Sequence, residues 1–315
     1  MYWFDHCIFE AVRSHKHPNM ASTFPHRISA ELCRTVTKAE VIHRRRQVLA
    51  LQTLHQDENY AIHDVADSTT ILSLPVHARK LNHTYGFGKF GPVTMGDLRS
   101  VEKAYEAWSP EENPRPRPEI DVCEYAHAST FDLLSEDYSI TGSVCQFQRD
   151  LADFETPPAQ ADSDVKVHLL RGSGLVTDHD TSYADFIDAS VQGFRSGGRN
   201  TLTLRALAES AVARSDTNLY SAKINGELVG TAVMAVIDVG GCKVACLFMD
   251  SCLEHARGKG VHIALLLERI RVAKEVDCEM VIAAAREGSG SARNIERAGL
   301  GKVFTCKTYT QNTDH

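Results

Sequence analysis

The alternation of apolar and polar residues divides the chain into two successive runs of strands and helices. In the first run, residues 31–55 carry high helix propensity, and 60–64 and 69–74 read as strands. A glycine-punctuated stretch, 82–94, leads into a helix that opens at Thr94 or Asp97 and runs through Trp108. Residues 113–118 alternate proline with other residues and read as a stiff, extended connector. A strand over 119–123, a short helix over 130–136 and a strand over 142–150 complete this run.

The second run begins with a strand at 165–170, followed by helices at about 182–194 and 199–213. The first of these helices places Phe186, Ile187, Ala189, Ser190 and Phe194 on its inner side and stops at Gly197-Gly198. Strands over 218–224 and 228–237 flank Asn225-Gly226, a hairpin signal because both residues tolerate positive φ. Gly240-Gly241 turns the chain into a strand over 242–251, whose apolar run 244–249 reads as buried. Next comes a helix over 260–276, with Ile263, Leu266, Leu267, Ile270 and Ala273 at helical spacing. A strand over 280–284, a helix over 291–298 and a strand over 302–309 close the run. The order of elements predicts an α/β (α+β) fold of two domains, 31–150 and 165–315, each a mixed central sheet flanked by helices. Residues 151–164 are acidic, small and proline-bearing, and read as the linker between them; residues 1–30 read as a loosely attached arm.

Composition narrows the function. A net charge of −7 argues against a nucleic-acid partner, which would want a basic face. The basic cluster His43-Arg44-Arg45-Arg46 reads as a solvated helix face. Nine cysteines at scattered spacings contain no Cys-x-x-Cys pair, which points to small buried thiols in a reducing, cytoplasmic setting. His255 and His262 lie seven residues apart with no His-Glu-x-x-His, so no metal is expected. The first ten residues lack a basic start and a long apolar run, and nothing approaches the roughly 20 apolar residues of a membrane span. Asn82-His83-Thr84 matches a glycosylation sequon that has no secretory signal before it.

The most informative stretch is 253–266. An apolar strand turns through Arg257-Gly258-Lys259-Gly260 into a helix. Such a turn leaves backbone N–H groups unpaired at the positive end of a helix, where they hold anions. The glycines allow close approach, and Arg257 and Lys259 add positive charge.

Arg257-Gly258-Lys259-Gly260-Val261-His262 resembles the Arg-x-x-Gly-x-Gly/Ala pyrophosphate loop of the GNAT acetyltransferase superfamily, with His262 in place of the last small residue. The stretch 287–300, ending in Gly299-Leu300, looks like that family's final helix and closing Gly-hydrophobic pair. The resemblance covers about 165–310. The first half lacks the basic glycine loop and looks like the degenerate N-terminal half of a tandem GNAT protein.

The resemblance implies acetyl-coenzyme A as cofactor, held by Arg257, Gly258, Lys259, Gly260, Val261 and His262. It implies that the preceding strand splays from its neighbour and pairs with the pantetheine arm, beside Ser251, Cys252 and Leu253, one of whose N–H groups polarises the acetyl carbonyl. Asn294 is placed to contact the arm. Candidate bases are Asp250, an ionisable residue ending an apolar strand, and its neighbours Glu254 and His255; a water relay is the alternative. His255 is equally a phosphate-side contact. The family's acid, a Tyr four residues before the closing Gly, is Ile295 here, leaving Ser289, Ser291 or Tyr309 as substitutes. Cys252 beside the thioester invites a ping-pong reading, against which stands a buried small residue with no basic partner. The expected function is N-acetylation of a small-molecule amine by a monomer or homodimer, without membrane or nucleic acid. The alternatives are another acyl-coenzyme A transfer and a non-catalytic acyl-coenzyme A-binding protein.

Overall fold

The computed structural model describes residues 29–56, 60–108, 116–155, 164–172, 176–195 and 200–312. Most of the expected arm, the start of the proline connector, most of the linker and the Gly197-Gly198 stop lie outside the described residues.

The first half runs α1 (Ala30–Leu54), β1 (Ala61–Val65), β2 (Ser68–Leu72), β3 (His83–Tyr85), α2 (Met95–Trp108), β4 (Glu119–Cys123), α3 (Ala128–Leu134) and β5 (Tyr138–Asp150). The second runs β6 (Val165–Arg171), α4 (Tyr183–Arg195), α5 (Thr201–Ala213), β7 (Thr217–Ile224), β8 (Glu227–Val239), β9 (Cys242–Cys252), α6 (Val261–Glu275), β10 (Met280–Arg286), α7 (Gly290–Arg297) and β11 (Gly301–Gln311). Every expected element is present, with ends shifted by a few residues. Asn225 and Gly226 adopt φ of 51° and 83°, the hairpin turn their side chains permit.

Sequence periodicity left the neighbours of each strand open. Among the described residues, all eleven strands join one sheet in the order β1-β2-β3-β4-β11-β5-β10-β9-β8-β7-β6. The last strand of each half has crossed to the other: β5 pairs antiparallel with β10, and β11 lies between β4 and β5. The start of the expected linker is also packed. Leu151 and Phe154 are buried in the second half's core, and the Leu151 N–H donates to Glu279 O.

Helix α1 belongs to the first half but covers part of the second. Its apolar face, with Val36, Ala39 and Val48, packs against β8, β9 and α5 residues such as Ala235, Val244 and Leu207. The expected solvated basic face is therefore corrected. His43 is buried edge-on against Phe248, with ring centroids 4.3 Å apart, and its Nδ1 lies 3.1 Å from an Arg214 nitrogen. Burial first, and then Arg214, Arg44 and Arg46, press its pKa well below the ordinary histidine range. Arg46 pairs with Asp216 at 2.6 Å, and Arg45 pairs with Asp64. Arg46 fastens one half to the other, since Asp216 belongs to the second; Arg45 ties α1 to β1, and Arg44 lies 3.6 Å from Glu40 one turn away on α1 itself. Asn82 of the sequon is likewise buried, accepting from the Ser73 N–H at 2.6 Å and donating to Leu74 O at 2.9 Å.

Candidate active site

The site is built on β9. This strand pairs in parallel with β10 from Val244↔Met280 to Leu247↔Ala283, and there the ladder stops. Beyond that point β9 stays bonded to β8 as far as Cys252, while β10 stays bonded to β5 as far as Arg286. Two strands held by opposite neighbours open a wedge between them. The divergence coincides with a bulge. The β8–β9 register slips between Thr231↔Ser251 and Val233↔Phe248, and Met249 takes a φ of 57°, rare for a residue with a long side chain.

Arg269 holds that bulge. It projects from α6 fully buried, donating to Val233 O and Phe248 O at 2.9 and 3.4 Å and to Leu265 O at 2.9 Å. Its remaining nitrogen pairs with Asp250. A buried guanidinium needs such a set of acceptors to be tolerated. For Asp250, burial raises the carboxyl's pKa, but Arg269 and then His262 outweigh it and hold it below the ordinary carboxylate range. A general base wants the opposite shift, so Asp250 is suited to anchoring rather than to taking a proton.

Past β9 the chain makes a short 3-10 turn, Glu254–Ala256, and enters the glycine loop. Gly258 and Gly260 have φ of 79° and 82°, and Gly260 is the left-handed N-cap of α6. This geometry needs glycine and leaves its amides pointing outward. The first backbone bond of the helix is Ala264 N–H to Gly260 O at 3.0 Å. Among the described residues, the N–H groups of Gly258, Gly260, Val261, His262 and Ile263 have no protein acceptor. Arg257 and Lys259 are exposed beside them, and Arg257 also donates to Gly193 O at 3.1 Å, tying the loop to the end of α4.

Side chains brace the loop from beneath. His262 Nε2 lies 3.4 Å from Asp250 Oδ1, and its Nδ1 lies 3.0 Å from the Asn294 amide nitrogen. An Nε2–H tautomer suits both contacts, though Nε2 meets Asp250 at ion-pair distance and not in hydrogen-bond geometry, and lines up Arg269–Asp250–His262–Asn294 from core to surface. Helix α4 presses on the strand through Gly193, where a Cβ would lie 2.8 Å from the Ser251 Cβ. Gly230 does the same below the loop, where a Cβ would lie 2.7 Å from Val261 Cγ1.

The other anticipated residues divide clearly. Leu253 N–H donates to Val229 O at 2.9 Å and is committed to β8. Gly230 and Cys252 therefore form a non-hydrogen-bonded pair, and the Cys252 N–H points away from β8 into the wedge. Ser251 is buried in a hydroxyl chain, 2.7 Å from Thr231 Oγ1, which lies 2.6 Å from Ser190 Oγ. Burial raises the Cys252 thiol above its ordinary pKa, more than Arg257 lowers it, so the sulfur stays protonated. Glu254 and His255 are exposed on the outer turn, His255 lying 3.2 Å from Glu227. Of the substitute acids, Tyr309 packs against the first half's core, where burial raises its pKa. Ser289 caps α7, accepting from the Ala292 N–H at 3.1 Å. Ile295 is buried in the core.

Sequence reading missed Arg269. Its signal was an arginine four residues after Leu265 and next to Ile270, inside the apolar stripe of α6, where a free charge is not tolerated. Among the described residues no group of His, Cys, Asp and Glu could hold a metal ion, and no helix is long and apolar enough to cross a membrane.

No protein-family model matches the chain, and no curated protein matches it by sequence. Solved structures match its fold over nearly its whole length. A GCN5-related N-acetyltransferase from Kribbella flavida aligns with TM-score 0.58 at 14% identity, covering 87% of this chain and 96% of that one. A GCN5-related N-acetyltransferase from Sphaerobacter thermophilus gives 0.53 at 12% identity, covering 89% and 94%. A tandem GNAT protein from the clavulanic acid biosynthesis pathway gives 0.52 at 14%, covering 89% and 98%.

Proposed function

From the GNAT-superfamily fold of this chain, we propose that the protein is an acyltransferase that moves the acetyl group of acetyl-coenzyme A to the amine of a small molecule. The observation that carries this reading is the set of unpaired amides at Gly258 and from Gly260 to Ile263, at the mouth of the β9–β10 wedge. A diphosphate matches such a cradle: several N–H donors converge on it, the positive end of α6 faces it, and Arg257 and Lys259 add cationic side chains. The wedge fits the rest of the molecule, because the free edge of β9 offers backbone groups to an extended arm as an added strand would.

When bound, the thioester supplies an activated acyl group. Everything else is done by the chain. The glycine loop fixes the donor's position, which converts an encounter of two molecules into a step within one complex. The Cys252 N–H lies on the open side of β9, where it stabilises negative charge gathering on the acyl oxygen. Asp250 is a positioning residue, holding Arg269 and, through His262 and Asn294, the base of the loop. Glu254 and His255 stand on the solvent side of the turn and are the ionisable groups left to take the amine's proton through water. Cys252 keeps its proton and does not serve as nucleophile.

A non-catalytic acyl-coenzyme A-binding role is the second reading, favoured by Ile295 in the core where the family's phenol would stand. Release of free thiol from acetyl-coenzyme A across a panel of amines tests both. Amine-dependent release supports transfer; tight binding with no release for any amine supports the binder.

A further inference from the structure

A second cleft lies in the first half, where β3 and β4 part. Their parallel ladder ends at Tyr85↔Asp121, and beyond it a small cavity of about 20 Å³, room for about one water-sized molecule, opens to solvent. Cys123 of β4 and Cys306 of β11 both line it, together with Lys89. The two cysteines are direct cross-strand partners. The neighbouring pair is hydrogen-bonded, Glu124 N–H donating to Thr305 O at 3.0 Å, so Cys123 and Cys306 form a non-hydrogen-bonded pair. Such pairs have Cα atoms about 4.5 Å apart, within the range a disulfide spans.

The surroundings treat the two sulfurs differently. Lys89 Nζ lies 2.8 Å from Cys123 Sγ and is held over the Phe304 ring, 4.3 Å from its centroid. The Tyr125 N–H points at the same sulfur from 3.4 Å. Cys306 first, and then Lys89 and the Tyr125 amide, outweigh burial and bring Cys123 down to about 6. The neighbouring Cys123 and then burial push Cys306 well above the ordinary thiol range. One sulfur is thus a thiolate at neutral pH, and the other carries the shared proton.

We propose that Cys123 is a hydroperoxide-reactive thiolate and Cys306 its resolving thiol, forming a disulfide that bolts β11 to β4. The Cys123 sulfur attacks the terminal peroxide oxygen. An S–O bond forms, the O–O bond breaks, and the departing oxygen takes a proton from Lys89 to leave as water or an alcohol. Cys306 returns a proton to Lys89 and attacks the sulfenic sulfur; the S–S bond forms and hydroxide leaves, protonated to water. Two thiols and one hydroperoxide give one disulfide, one alcohol or water, and one water. Two electrons pass from sulfur to oxygen. The bond would fix the crossed strand of the second half to the first half's sheet.

The test is peptide mapping by mass spectrometry of the full chain after one equivalent of hydrogen peroxide, without reductant. A Cys123–Cys306 disulfide is expected. Cys306→Ser should instead accumulate a sulfenic acid at Cys123, captured as its dimedone adduct, and Cys123→Ser should give neither product. Lys89→Met should slow Cys123 alkylation by iodoacetamide at pH 7 about tenfold while the circular dichroism spectrum is unchanged. The proposal is overturned if Cys123 is oxidised no faster than the other cysteines. A folded Lys89→Met variant that alkylates at the wild-type rate overturns it as well.

Discussion

The molecule makes the same turn twice, and only one copy is left open. In each half a strand (β3 or β9) leads through a glycine-bearing turn to a helix (α2 or α6) and then to a parallel neighbour (β4 or β10) that it soon leaves. At the head of α2 the amides of Val93, Thr94 and Asp97 are taken. The Val93 N–H donates to Ser129 Oγ at 3.1 Å, the Thr94 N–H to Asp97 Oδ2 at 2.8 Å, and the Asp97 N–H to Thr94 O at 3.1 Å. The Asp97 carboxylate, held low by hydrogen bonds from Thr94, already occupies the place an anion would take. Gly88 lies so close to α3 that a Cβ there would sit 1.7 Å from Thr130 Oγ1. At the head of α6 no side chain caps the helix, and two cations stand beside the free amides. Glycine in a strand-to-helix turn is therefore not enough for anion binding; what matters is whether the chain has already satisfied the donors.

The largest effect should come from breaking the clamp that shapes the open copy. Arg269→Met leaves Asp250 partly buried without its partner and frees the bulge at Met249. It should cost roughly 3–5 kcal/mol in chemical denaturation. Next, Gly260→Asp adds a Cβ and a charge where φ is 82° and the amides converge. Coenzyme A affinity by calorimetry should fall about 100-fold, near 2.7 kcal/mol, in a chain that still folds. The matching change in the closed copy, Asp97→Ala, should cost about 1 kcal/mol of stability as a lost cap and leave that affinity unchanged.

Asp250 gives a pH signature. Its folded pKa lies below the unfolded value, so its contribution is present above the ordinary carboxylate range and is lost as pH falls through the folded value. The stability gap between wild type and Asp250→Asn should therefore narrow below about pH 4. Smallest of all, Cys252→Ser should leave amine-dependent turnover within about twofold, because a protonated thiol gives no covalent step to lose. A collapse of turnover in a folded Cys252→Ser variant would restore the ping-pong reading.

Much of this was legible in the sequence because it is local. The alternation in β7 and β8, the Asn225-Gly226 turn and Gly258 and Gly260 before an apolar helix each need only a few neighbouring residues to be read. What was missed depends on partners distant in sequence. Periodicity marks β5 and β11 as strands but cannot say that each crosses to the other half. His43 to Arg46 look like a surface charge run until Asp216, Asp64 and Phe248 are brought to them. Asp250 looks like a strand-end acid until Arg269, nineteen residues later, is found against it.

Hydrogen–deuterium exchange of the full chain, with and without saturating acetyl-coenzyme A, reads the two turns side by side. Open amides at the head of α6 require new protection in the peptide covering 257–263 and none in the peptide covering 86–97. Unchanged exchange across 257–263 under saturation, or protection at 86–97 instead, would contradict the assignment of the diphosphate cradle.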